Sequence, residues 1–548
     1  MQRDAMANLY LISDLRTPLD FSPQSLRRKI AAAAGLRPSQ ISRVLVVKKS
    51  IDARKKPLLF YVVQAEFETT EPLRLPPAKV RRLERSTLAA DPPEFLSRRK
   101  RGPHGMDPVV VVGAGPAGLF AALALSTAGI RTLLLERGKP VDERIKDIGR
   151  LRAHGELDPE SNICFGEGGA GTYTDGKLYT RVKHPYVRWI MRTFVDFGAS
   201  PSILVEAHPH LGTEKLVAII RSLRARLIEQ GVQIRFQTRM EGLIVRDGRV
   251  HGVRLAGGEE ISTDRVVLAI GHSARDTLGR LLEDGVRMEA KDFAVGLRAE
   301  HPQELINAAQ YGRANAGRAL GAAAYHLTHQ APDPHLAQRG VYSFCMCPGG
   351  FIVPCPTETG RMAINGMSNS NRTSPYANSG VVAQVTPDDL RRHGYADTPL
   401  IGIEFQRRLE ADAFTATRTP YAAPAMRIAD FLSGKPSGSL APTNFRPLAE
   451  PADLGVLLPD WLTAPLKEGL RGFGRRLKGY CGPDGNLLAV ESRTSSPVRL
   501  PRREDGMSVS LEGLYPAGEG AGYAGGIISS AVDGLKIAES IVRAETVT

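Results

Sequence analysis

Four consecutive valines, Val109–Val112, run straight into Gly113-Ala114-Gly115-Pro116-Ala117-Gly118, and this junction constrains the fold more than any other part of the chain. A continuous β-branched run reads as a parallel strand buried on both faces. The segment after the glycines, Leu119–Ala128, has helical composition. It ends at Gly129 and is followed by a second apolar strand, Thr132–Leu135, closed by Glu136 and Arg137. Gly113 permits the tight turn, Gly115 lets the backbone approach a pyrophosphate, and Gly118 lets the helix lie close to the strand. The helix N-terminus that follows presents free N–H groups and a dipole that favour phosphate, with Pro116 and Ala117 also expected at the cofactor. Glu136 lies 21 residues beyond Gly115, the distance at which an acid accepts hydrogen bonds from a ribose. The unit therefore predicts an α/β, Rossmann-type dinucleotide site.

A chain of 548 residues is long enough for several domains. The sequence predicts a small N-terminal domain over residues 1–75, a Pro/Arg-rich linker over 76–106, a nucleotide-binding domain over 107–275 and 501–548, and an inserted α+β substrate or cap domain over 276–500. In the first domain Leu9–Leu15, Val44–Val47 and Leu58–Phe67 read as strands. Ser22 caps a helix through Leu26, Ile30 and Ala34, giving a β-α-β-β, ferredoxin-like order. Pro72, Pro76, Pro77, Pro92, Pro93, Pro103 and the run Arg98-Arg99-Lys100-Arg101 mark the linker. Residues 1–105 carry 21 Lys/Arg against 10 Asp/Glu, so most of the net charge of +14 sits there. Such a module suits RNA, an anionic lipid surface or an acidic partner, or simply a solvated basic face. The five cysteines form no CxxC pair, so no metal site is expected. With no membrane span and no secretion signal, a cytoplasmic location is the expectation.

The far end of the chain selects the cofactor. Gly513-Leu514-Tyr515-Pro516-Ala517-Gly518-Glu519-Gly520, then Ala521-Gly522-Tyr523-Ala524-Gly525-Gly526 and a helix from Ile527, resembles the C-terminal motif of the glutathione-reductase and fumarate-reductase superfamily. That resemblance implies FAD, with Gly518 and Glu519 at the ribityl chain and a helix N-terminus at Gly526 and Ile527 facing the flavin pyrimidine. Many relatives carry Asp where this chain has Glu519. Gln233–Thr238 with Met240 resembles the strand that meets adenine, and Asp264–Ala269 into Ile270-Gly271 resembles the turn beside the cofactor. Further segments resemble one bacterial family of FAD-dependent dehydrogenases. They are Cys164–Thr172, Asp175–Leu178, Gly271–Asp276, Phe344–Gly350, Asn365–Ser368 and Glu491–Pro497. In the resemblance Gly168, Gly169, Ala170 and Gly171 meet the isoalloxazine, with Lys177 nearby. Four glycines in Gly166–Gly171 would let the backbone lie flat on a planar ring. The loop holds no histidine, and non-covalent FAD is expected.

For chemistry, the flavin carries the hydride and the protein supplies position. Cys345 and Cys347 could act as acid or redox partner, although CxC without a helix is expected to be structural. Arg493, Arg499 and Arg372 could clamp an anion, and His272 could exchange a proton. No second strand–GxGxxG–helix unit occurs between 276 and 500, so NAD(P)H, as an electron donor, would bind only transiently. The expectation is an FAD-dependent oxidoreductase acting on a small or medium organic substrate. The alternatives are an RNA-directed flavoenzyme, a flavin-loaded sensor or scaffold, and an aromatic hydroxylase, which Gly518-Glu519 disfavours.

Overall fold

The computed structural model describes residues 8–56, 58–73, 77–97, 107–174, 176–313 and 320–547. The N-terminal domain contains β1 (Asn8–Thr17), α1 (Pro23–Ala34), β2 (Ile41–Asp52) and β3 (Phe60–Thr69). Ser22 caps α1 by accepting from the Ser25 amide at 3.1 Å, while the Ser25 hydroxyl accepts from the Ser22 amide at 2.9 Å. Tyr10, Ile12, Ile30, Val63 and Phe67 form the core.

The segment expected to be a linker contributes to structure on both sides. A fourth strand, β4 (Val80–Leu83), completes an antiparallel sheet of order β2-β3-β1-β4. Buried Glu66 of β3 then holds the chain beyond it, accepting from the Ser86 hydroxyl at 2.6 Å and the Thr87 amide at 2.5 Å. Phe95 and Leu96 insert into the core of the next domain. The prolines do interrupt this stretch, but Val80, Phe95 and Leu96 give it apolar anchors, and anchored chain does not behave as a free tether. Pro76, Pro103 and the basic run Arg98-Arg99-Lys100-Arg101 lie outside the described residues. The N-terminal domain also docks through β2, where the Lys49 amide donates to Val205 O at 2.9 Å and its carbonyl accepts from the Ala207 amide at 3.1 Å.

The nucleotide-binding domain contains, in order, β5 (Val109–Val112), α2 (Pro116–Thr127), β6 (Thr132–Leu135), α3 (Val141–His154), α4 (Tyr186–Asp196) and α5 (Thr213–Glu229). After these come β7 (Gln233–Arg235), β8 (Met240–Arg246), β9 (Arg249–Leu255), β10 (Glu260–Ser262), β11 (Val266–Leu268) and α6 (Arg275–Glu283). A parallel sheet runs Leu514–Pro516, β11, β5, β6, β7. Side chains alternate across it as a strand requires. Val109 and Val111 join the cluster under α2, α5 and the C-terminal helix Ile527–Val547, whereas Val110 and Val112 join the cluster under β8–β10. The result is three layers, ββα, as the sequence predicts.

Between the two parts of that domain the chain builds a seven-stranded sheet. Its order is Thr328–Ala331, Arg339–Cys347, Tyr376–Val385, Phe293–Pro302, Asn486–Glu491, Ala423–Arg427, Ala449–Pro451, antiparallel except for the last pair. The Glu289–Ala290 and Val498–Arg499 strands pair where the chain enters and leaves this cap. No second parallel nucleotide-binding sheet is present among the described residues. Nor is any helix there long and apolar enough to cross a membrane.

Candidate functional site

One cleft, about 1660 Å³ including its open mouth, runs from the carboxyl ends of β5 and β6 to the cap. Ligands bind in such crevices at the strand ends of open α/β sheets. At the β5 end Gly113 has φ +103°, and an added Cβ would sit 2.4 Å from Ala269 O. A Cβ at Gly118 would fall 1.9 Å from Gly113 O, so α2 can lie against its strand only if that residue is glycine. Glu136, 5% exposed, is held by three backbone amides. Its Oε2 accepts from Ala114 at 2.8 Å, and its Oε1 accepts from Gly138 and Gly166 at 2.9 Å each. A carboxylate offers about four acceptor sites, so capacity remains for a ligand hydroxyl. Arg137 is fixed on the same wall by Glu160 at 2.9 Å and Asp276 at 2.9 Å, and its guanidinium lies 4.0 Å over the Phe165 ring.

The glycine-rich loop is held from behind by a residue the sequence did not single out. Arg144 of α3 is fully buried and donates to five carbonyls: Asn162 (2.7 Å), Ile163 (2.6 Å), Gly166 (3.2 Å), Glu167 (2.8 Å) and Gly169 (2.9 Å). With those carbonyls turned back toward Arg144, Gly169, Ala170 and Gly171 form bare cleft wall. A Cβ on Gly169 would come within 3.0 Å of Gly115 Cα, filling the gap between the loop and the helix start. A groove lined by bare backbone, a helix N-terminus and an acid with spare acceptor capacity fits the pyrophosphate and ribose of FAD.

The cap end is polar. Glu410 of the helix Ile401–Thr415 is buried between two arginines. Oε1 accepts from Arg275 (2.8 Å), Arg493 (3.0 Å) and the Ser492 hydroxyl (2.6 Å), and Oε2 from Arg275 (2.9 Å) and Arg493 (2.8 Å). Burial alone would raise this pKa, but the two guanidiniums outweigh it and hold the carboxyl well below the ordinary range. Arg493 also donates to Thr357 Oγ1 at 2.8 Å. It is thus an ion-pair member that touches the cleft, and the anion clamp expected of it is already satisfied within the protein. His272 lies on the wall with Nδ1 2.7 Å from the Ser273 hydroxyl. Burial, then the charges of Arg493 and Arg275, push it down to about 4, so at pH 7 it is neutral and cannot serve as an acid. Glu519 is on the wall too, and burial pushes its carboxyl up to about 7 against the pull of Lys291.

Of the residues expected at the cofactor, Gly113, Gly115, Pro116, Ala117, Glu136, Arg137, Gly169, Ala170, Gly171, Lys177, Met240, Ala269, Gly271, Glu519, Gly526 and Ile527 line the cleft, as do Cys345, Arg493 and His272. Gly118, Gly168, Gly518 and Cys347 do not, each for a packing reason. Gly118 faces its own strand, and a Cβ on Gly168 would meet Ile220 of α5 at 2.3 Å. The Gly518 amide donates to Asp533 of the C-terminal helix at 2.7 Å, and Cys347 is buried behind Cys345. Asp175 lies outside the described residues. Arg144 and Glu410 are the members that sequence reasoning missed. Among the described residues no cluster of His, Cys, Asp or Glu has the makings of a metal site.

Family matches cover residues 106–155 (FAD binding domain), 191–296 (pyridine nucleotide-disulphide oxidoreductase) and 292–494 (FAD-dependent protein, C-terminal domain-like). Residues 10–68 match a domain of unknown function. An uncharacterized protein of Clostridium beijerinckii is 39% identical over 535 residues, 97% of this chain and 98% of that protein. Protein FixC of Escherichia coli K12 is 30% identical over 204 residues, 36% of this chain and 44% of FixC. The crystal structure of CtdE in complex with FAD aligns over 80% of this chain and 84% of that one, at 10% identity and a TM-score of 0.29. With its dinucleotide cleft, its matched FAD-binding regions and a full-length relative, the chain belongs to the family of FAD-dependent oxidoreductases.

Proposed function

We propose that the protein is a dehydrogenase or reductase that moves a hydride between flavin N5 and a small or medium organic substrate at the cap end of the cleft. The observation that carries this reading is that one continuous cleft is lined at one end by the β5–α2 turn and at the other by the cap residues Phe344, Asn365 and Thr494. FAD, when bound, supplies the hydride chemistry. The chain's own residues hold and orient it. Glu136 would offer acceptors to the ribose, the first-turn amides of α2 would hold the pyrophosphate, and Gly169–Gly171 would give the ring a flat wall. The C-terminal helix starts at Ile527, and with FAD bound its first amides would stabilise negative charge on the ring. Neutral His272, bonded to Ser273 through Nδ1, keeps its other ring nitrogen for a hydrogen bond to substrate. These contacts need no covalent link to the cofactor, so acid precipitation should release the flavin into the supernatant.

The seven-stranded sheet leaves no dedicated second nucleotide domain among the described residues, and NAD(P)H would donate from a transient seat over the ring. The family matches lend no support to an RNA-directed role for the basic N-terminal domain. The test is anaerobic mixing of the purified holoprotein with NADPH and then NADH, followed by flavin absorbance. Bleaching by either identifies the donor, and the search turns to acceptors. If neither bleaches it, but a reduced organic substrate does, the protein runs as a substrate-oxidising dehydrogenase. If no hydride donor of either class reduces the flavin, hydride transfer is refuted.

A further inference from the structure

Four of the chain's five cysteines gather where the cleft meets the cap, and the Cys345–Cys347 pair is unusual among them. Lys177, which follows the glycine-rich loop, places its Nζ 3.8 Å from Cys345 Sγ and 3.9 Å from Cys347 Sγ while also donating to Met346 O. Behind them Arg298 donates to Cys345 O at 2.6 Å and to Cys347 Sγ at 3.6 Å. The strand bulges here: its pairing with Tyr376–Val385 shifts between Phe344 and Cys347, and Cys345 takes a left-handed φ of +45°. A non-glycine residue held in that region, pinned by a buried arginine, marks a site where local strain is maintained for a purpose. The bulge turns Cys345 onto the cleft wall and leaves Cys347 buried. Gly366 makes the arrangement possible, since a Cβ there would fall 2.0 Å from Arg298 Nη2.

We propose that Cys345 is a nucleophilic thiolate that bonds covalently to a soft electrophilic carbon, namely the β-carbon of an alkene conjugated to a carbonyl. The groups facing the sulfurs are the Lys177 ammonium, the Arg298 guanidinium, the Glu491 carboxylate and, behind Cys347, the Tyr325 phenol. Arg298 pairs with Glu491 Oε2 at 2.7 Å and offsets the charge of that carboxylate, and the lysine's positive charge beside the sulfur favours thiolate over thiol. In the addition the sulfur lone pair forms the C–S bond. The alkene π electrons shift to the α-carbon and carbonyl, and the α-carbon takes a proton from Lys177 or water. No net oxidation occurs, and bond formation at sulfur is independent of hydride transfer.

The probe is N-ethylmaleimide, itself an activated alkene. The holoprotein is treated between pH 5.5 and 9, and tandem mass spectrometry of its peptides follows the adduct separately at Cys345, Cys347, Cys164 and Cys481. Cys345 should react at least about tenfold faster than half-buried Cys481 at pH 7, with a midpoint below the ordinary thiol value of about 8.5. Lys177→Met should slow it about tenfold, and Lys177→Arg should restore most of the rate. Circular dichroism checks that each variant is folded. If Lys177→Met does not fold, the wild-type midpoint alone decides. A Cys345 no faster than Cys481, a midpoint at the ordinary value, an unchanged rate in a folded Lys177→Met, or a fast adduct mapping to Cys164 or Cys347 would each overturn the proposal.

Discussion

Glu136 shows how one side chain joins fold to function. The three amides that fix it come from the β5 turn, from its own strand's exit and from the glycine-rich loop, so the carboxylate ties three chain segments together on the cleft wall. Glu136→Ala should therefore weaken FAD binding about 10–100-fold, read by equilibrium dialysis or flavin fluorescence, because it removes a ligand acceptor and leaves amides unpaired. A second residue sets a pH dependence. Glu519 has a folded pKa of about 7, above its ordinary value, so the folded apoprotein binds more protons than the unfolded chain between pH 4.5 and 7. Its contribution is intact below that window and is lost as pH rises through it. Glu519→Gln cannot ionise. In apoprotein denaturation, the variant should gain stability relative to wild type as pH rises from 5 to 7, by at most about 3 kcal/mol. A difference that stays flat, or that runs the other way, would count against a half-buried, proton-holding Glu519.

At the scale of elements, two buried arginine networks do what the secondary structure alone cannot. Arg144 draws five carbonyls of the loop after α3 into one cradle. Arg144→Met should leave those carbonyls without a donor and cost about 3 kcal/mol or more, with a lower Tm and new protease cuts between residues 160 and 172. Glu410 joins the cap helix Ile401–Thr415 to α6 through Arg275 and to the returning chain through Arg493. Glu410→Gln strands two buried guanidiniums, and the loss expected is about 3–5 kcal/mol by chemical denaturation. These networks also mark what the sequence conceals. The β5–α2–β6 unit was legible because its strand, glycines, helix and acid lie within 28 residues and each has a local signature. Arg275, Glu410 and Arg493 are 135 and 83 residues apart, and nothing in any one segment says that the three will meet. Strand β4 was hidden for another reason. Val80-Arg81-Arg82-Leu83 is charged and follows prolines, and only pairing with β1 makes it a strand.

At the scale of the whole molecule, the cleft depends on chain segments far apart in sequence. Residues near 113, 136, 169, 271, 345, 493 and 526 all reach its wall, so the site exists only when the cap and both parts of the nucleotide-binding domain have folded together. That the first and last motifs of the chain share one site could be read from the sequence. The contacts at the cap end could not, because they depend on how the seven-stranded sheet lies over α6 and the glycine-rich loop. A ligand that bridges all these segments stabilises the folded state by mass action, so saturating FAD should raise Tm and make it concentration-dependent. The most direct measurement is the visible spectrum of the purified protein, followed by stripping the cofactor and titrating FAD back. The account predicts a flavin spectrum that returns at one FAD per chain in the wild type and only at far higher FAD in Glu136→Ala. A protein that shows no flavin band, and gains none when FAD is added, would contradict it.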